Sequence, residues 1–129
     1  MGSVRRLLTF ADLDDRDRRG HSISARLVAE LADGSHVVLL DDRGWSSGHG
    51  GAAGHSPEEV EMTARMVVGP DEPWGDQTRA QVESDHWATL ERKLQDTGVA
   101  TDGTDLRALP HDVEISHRLR RLLNPPRPT

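Results

Sequence analysis

The chain has 129 residues, the size of one domain, and carries a formal net charge of −6. Nucleic-acid affinity rests on neutralising phosphates, so a chain this acidic is a poor general binder of DNA or RNA. It contains no cysteine, which excludes disulfides, thiolate metal sites and a Cys nucleophile and fits a cytoplasmic protein.

With no Tyr, one Phe (Phe10) and three Trp (Trp45, Trp74, Trp87), the core must be built from Leu, Val, Ile and Ala. Arg5 and Arg6 precede only a short apolar run, too short for a signal peptide. The run Val37-Val38-Leu39-Leu40 is far short of a membrane span, so no membrane association is expected.

In chain order, residues 4–10 read as a short strand and the charged segment 11–20 as an exposed loop. Ile23, Ala25, Leu27, Ala29 and Leu31 then alternate with mostly polar neighbours, the period of a half-buried strand. Asp33-Gly34 suits a tight hairpin turn. His36 to Asp41 is the returning strand, and its run of four apolar residues suggests a central strand covered on both sides, or one side covered by helices. Residues 42–55 are rich in Gly and Ser and read as a loop.

Ser56-Pro57-Glu58-Glu59 announces a helix: Ser56 caps it, Pro57 suits its first position and Glu59 completes a capping box. Val60, Ala64 and Val67 form its inner stripe, Glu61 and Arg65 an i,i+4 pair, and Gly69-Pro70 ends it. After the loop 70–75, Asp76 is placed to cap a longer helix running to about Thr97, with Trp87, Leu90 and Leu94 inward and Gly98 as its stop. Residues 105–109 suggest a short helical turn broken by Pro110. A last helix, capped by Asp112 or Ser116, ends at Leu123, and the Pro-rich tail 124–129 is expected to be disordered. Strands first and helices after predict a single α+β domain over 1–123: a small antiparallel sheet built on the central hairpin (about 21–41), with two to three helices packed on one face.

The segment Gly44 to Gly51, GWSSGHGG, contains the G-x-S-x-G pattern of a nucleophile elbow, with Ser46 as the nucleophile. That motif needs a helix to start at once, whereas Gly48 to Gly54 cannot start one. His49 and His55, with Glu59 as a third ligand, form a weak metal set, because a metal site needs three or four converging ligands. A Gly-rich loop feeding a helix start can also cradle an anion, but Glu58, Glu59 and Glu61 already place negative charge there. Trp45 and Trp74 sit in polar loops, where Trp is an anchor or a partner hot spot. The Arg-rich end around Arg118, Arg120 and Arg121 suits the negative pole of a helix C-terminus.

These features favour a small soluble, non-enzymatic binding or protein-interaction module without a cofactor. Its contact surface would be the loop 44–55 with Trp45, His49 and His55, and in addition Trp74. The alternatives are a small metal-dependent or Ser-dependent hydrolase using the GWSSGHGG loop, and an acidic, antitoxin-like partner of a basic protein. The acidic stretch Glu58 to Asp96 motivates the last.

Overall fold

The computed structural model describes residues 4–15, 22–46, 55–99 and 103–123. Three long strands come first: β1 (Val4–Leu13), β2 (Ser22–Leu31) and β3 (His36–Ser46). Helices α1 (Pro57–Val67), α2 (Arg79–Asp96) and α3 (Gly103–Ala108) follow, then strand β4 (His111–Ile115) and helix α4 (His117–Leu122). The fold is α+β, around one four-stranded sheet of order β3-β2-β1-β4.

The sheet is mixed rather than purely antiparallel. β1 pairs antiparallel with β2, and β4 lies parallel to β1, with Thr9 opposite Val113. β4 occupies a stretch read from the sequence as the lead-in to the last helix. Asp112 is therefore a strand residue, and Ser116 caps α4 by accepting from Leu119 N at 3.2 Å. β1 runs to Leu13, past the expected loop boundary, because Ala11, Asp12 and Leu13 pair with Ala25, Ser24 and Ile23.

The β2–β3 hairpin is present, but its turn differs from the two-residue type. Gly34 N donates to Leu31 O (2.9 Å) and Leu31 N to Ser35 O (2.8 Å), while Gly34 alone takes a positive φ, 88°. This matches a turn of ordinary hand closed by a left-handed Gly. Asp33 Oδ1 fixes it by accepting from Ser35 N and Oγ.

β3 is an edge strand, not a central one. Between Ala25 and Leu27 it advances three residues against two on β2, and between Leu27 and Val28 two against one. These bulges let the consecutive Leu39 and Leu40 both enter the core while Val38 stays 47% exposed. The bulges, together with the exposed Asp41 and Asp42, blunt the edge against pairing with another strand. Lys93 Nζ of α2 adds to this by donating to Leu39 O.

The helices cap as their physics demands, with shifts from the expected residues. Ser56 accepts from Glu59 N at 3.2 Å, but the Glu59 carboxylate turns to His55 instead of closing a capping box. A complete capping box stands at α2, where Thr78 and Gln81 satisfy each other's backbone N–H groups, so Thr78 rather than Asp76 is the cap. Arg65 reaches across to His111 O (3.3 Å) instead of joining Glu61.

Two clusters form the core. One joins Ala25, Leu27, Ala29 and Leu31 of β2 to Leu90 and Leu94 of α2 and Leu106 of α3. The other joins Ile23 to Val60 and Ala64 of α1 and to Ile115 and Leu119. The β2 members are the period-two set read from the sequence. Leu8 and Val28, opposite each other in the register, point to the other face and belong to neither cluster, yet are only 1% and 2% exposed. Longer neighbours on that face roof them. The Phe10 ring lies 5.9 Å from His36, the Arg26 guanidinium carbon is 5.7 Å from the Phe10 ring centre, and Arg6 pairs with Glu30 at 2.9 Å.

Candidate functional site

The GWSSGHGG stretch is partly strand. Gly44, Trp45 and Ser46 finish β3 opposite Ser24, Ile23 and Ser22, which corrects the loop expected from residue 42 onward. Gly44 is required there: a Cβ on it would sit 2.6 Å from Ile23 O. Trp45 is half-buried and packs against both core clusters, so it is a structural anchor. Ser46 is exposed at the strand end, with Oγ 3.4 Å from Ser22 Oγ. The strand-turn-helix context of a nucleophile elbow is not formed by Gly44 to Ser46, which are extended and paired. His49 lies outside the described residues.

His55 and Glu59 are brought together, with Nδ1 and Oε2 2.9 Å apart across one turn at the start of α1. Among the described residues, no three His, Asp or Glu side chains converge as a metal set.

Trp74 stands in a different setting. It is 83% exposed, the most exposed large apolar residue among those described. The turn beneath it is braced. Trp74 N donates to Gln77 Oε1 and Gln77 N to Trp74 O, both at 3.2 Å. Gly75, with φ 63°, makes the left-handed step. On one side Arg43 of β3 holds Asp71 (2.7 Å); on the other Arg79 of α2 reaches Glu72 (3.3 Å). Pro70 and Pro73 restrict the backbone further. The sequence thus holds a large aromatic ring out in solvent on a stiff, acidic loop between α1 and α2. Met62 and Met66, one turn apart on α1, add exposed apolar surface.

A concavity of about 630 Å³ opens at the end of the sheet face that bears Leu8 and Val28. Phe10, Asp12, Arg26, Asp41, Glu114 and Arg118 are among its walls. Asp12 is its best-ordered group: it accepts from Leu13 N, Ser116 Oγ and Arg118 Nε at 2.7, 2.6 and 2.8 Å. The Arg118 hydrogen bonds, more than any other factor, hold its carboxyl below the usual range. Arg118 also takes Asp15 at 2.7 Å, so these groups spend their charge tying α4 to the end of β1. Arg26, Asp41 and Glu114 make no ion pair among the described residues. Sequence reading missed this groove because it depends on β4, whose parallel pairing places Glu114 beside Phe10.

Two histidines are perturbed. Burial first, and then Arg43, holds His86 below the ordinary range; its Nε2 is buried without a partner. Burial and then Arg65 do the same to His111, whose Nε2 lies 2.6 Å from the hydroxyl of the fully buried Thr9. Both are half-buried, His86 on α2 and His111 on β4.

No helix is long and apolar enough to cross a membrane among the described residues. In comparisons with protein-family models, characterised proteins and solved structures, no family model, protein or structure matches this chain.

Proposed function

We propose that the chain is a non-enzymatic protein-interaction module of the cytoplasm, and that it docks through Trp74. The observation that carries this reading is the braced exposure of that one ring. A Trp side chain buries about 150–250 Å² when covered, which at ~25 cal/mol per Å² is roughly 4–6 kcal/mol of burial that the folded chain leaves unused. Trp is enriched among the few residues that dominate binding energy. A turn already held by prolines, hydrogen bonds and two ion pairs loses little further freedom on association, so more of that burial appears as affinity.

The turn also defines the partner's chemistry. Asp71, Glu72 and Asp76 are neighbours of Trp74 in the sequence, and the segment 58–96 that contains it is acidic even with Asp71 and Glu72 paired to Arg43 and Arg79, which favours an apolar pocket with a cationic rim. Such charges raise association rate and partner choice more than depth of binding, and salt weakens them. On this reading the module is an acidic partner of a basic protein, and its contact surface centres on Trp74 rather than on the loop 44–55.

The test is a photo-crosslinking amino acid placed at position 74 in the producing cells, beside a control placed at the exposed Gln95. A discrete adduct with one basic protein, formed from position 74 and not from position 95, is the expected result. Equal or absent crosslinking from the two positions contradicts the reading.

A further inference from the structure

We propose that the sheet face opposite the helices is a twofold interface with a second copy of this chain. This is independent of the docking role of Trp74, which lies on the loop between α1 and α2. The face is organised in transverse rows by the strand register. One row is charged and satisfied within the copy: Arg6 of β1, Glu30 of β2 and His36 of β3, linked at 2.9 and 3.5 Å, with Arg6 also reaching Asp112 of β4 in the next row at 2.8 Å. The next holds Asp112 of β4, the covered Leu8 and Val28, and Val38, which is 47% exposed. The third carries Glu114, Phe10 and Arg26, with Asp41 beside them in the wall of the same groove.

The area is sufficient. Three strands of about ten residues and one of five, at ~3.3 Å per residue and ~4.8 Å per strand, span roughly 550 Å² per copy. Two copies would bury about 1,100 Å², just above the ~1,000 Å² that a specific interface requires. Phe10, half-buried on the inner strand β1, and Val38 at the β3 edge supply the accessible apolar surface, with charged side chains around them.

The charges select a second copy of this chain over an unrelated occupant. The Arg26 guanidinium carbon lies 5.7 Å from the centre of the Phe10 ring, and a guanidinium suits a planar carboxylate. Neither it nor Glu114 nor Asp41 has an ion-pair partner among the described residues. In a twofold arrangement each surface meets itself, so Arg26 of one copy can face a carboxylate of the other, and the exchange occurs twice. The groove of about 630 Å³ is then closed between the copies.

Sedimentation velocity over a concentration series tests this directly. The chain of 14.2 kDa should move from monomer to twice that mass as concentration rises. An interface this small predicts a dissociation constant on the order of micromolar. Arg26→Glu, which sets like charges together, and Val38→Asp should each weaken association at least tenfold, while circular dichroism and the urea midpoint stay close to wild type. The double exchange Arg26→Glu with Glu114→Arg should restore association. A chain that stays monomeric up to about millimolar concentration overturns the proposal, because an interface of this size should be populated well below that. So does a dimer indifferent to both Arg26→Glu and Val38→Asp.

Discussion

Trp45→Ala and Trp74→Ala should separate, although both residues stand in segments rich in turn-forming residues. Trp45 is half-buried against both core clusters through its place opposite Ile23. If roughly 150 Å² of its side chain leaves water on folding, ~25 cal/mol per Å² gives about 3–4 kcal/mol. The compactness of unfolded chains lowers this to about 3 kcal/mol. For a domain of this size that is a fall in Tm of about 10 °C. Trp74, 83% exposed, should shift stability by less than about 0.5 kcal/mol. Urea denaturation followed by far-ultraviolet circular dichroism measures both without relying on the removed fluorophore. Equal destabilisation by the two variants would refute the placement of Trp45 as anchor and Trp74 as free knob, and so would a neutral Trp45→Ala.

Three further outcomes follow from the packing. Gly44→Ala forces a Cβ to within 2.6 Å of Ile23 O, so it should cost about 1–3 kcal/mol and lower hydrogen-exchange protection of the Ser22–Ile23 amides; unchanged protection counts against the close strand approach. Ser116→Ala removes the α4 cap and a donor to Asp12, and a loss of about 1–2 kcal/mol should appear in the urea midpoint; a neutral substitution contradicts the tie between β1 and α4. The third outcome concerns pH. His86 and His111 both have folded pKa values below the ordinary range, so the folded chain binds fewer protons than the unfolded one as the pH falls. Their contribution is full above about pH 6.5 and is lost on descending toward their folded values, so the urea midpoint should drop between about pH 7 and 5. A midpoint that holds or rises over that interval opposes this sign.

The β2 strand, the Gly34 turn, the Ser56 and Ser116 caps and the Gly98 stop were legible because each rests on local chemistry. Gly98, with φ 87°, takes the left-handed step expected of it. What was misread depends on contacts distant in sequence. Val37 to Leu40 resembles a strand covered on both faces because two bulges bring Leu39 and Leu40 inward together, and a bulge has no period. β4 leaves a weak trace, Val113 and Ile115 alternating with Asp112 and Glu114 after Pro110. Five residues with three charged or titratable side chains read as a lead-in until β1 supplies the parallel partner. At α2 the signal was present and overlooked: Thr78 followed by Gln81 is a capping box written in the sequence.

The candidate site divides the same way. His55 and Glu59 meet because i,i+4 spacing on a helix start brings them together. The setting of Trp74 was not readable, because Asp71 and Glu72 just before it meet Arg43 and Arg79 of two other elements.

The most direct measurement for the interaction module is the affinity of the purified basic partner for the wild-type chain and for Trp74→Ala, at low and at physiological salt. The account predicts a loss of at least about 2 kcal/mol, near thirtyfold, on removing the indole. It also predicts weaker binding of the wild type as salt rises, because the acidic segment that carries the indole meets a cationic rim. Equal affinity of Trp74→Ala and wild type would contradict the central claim.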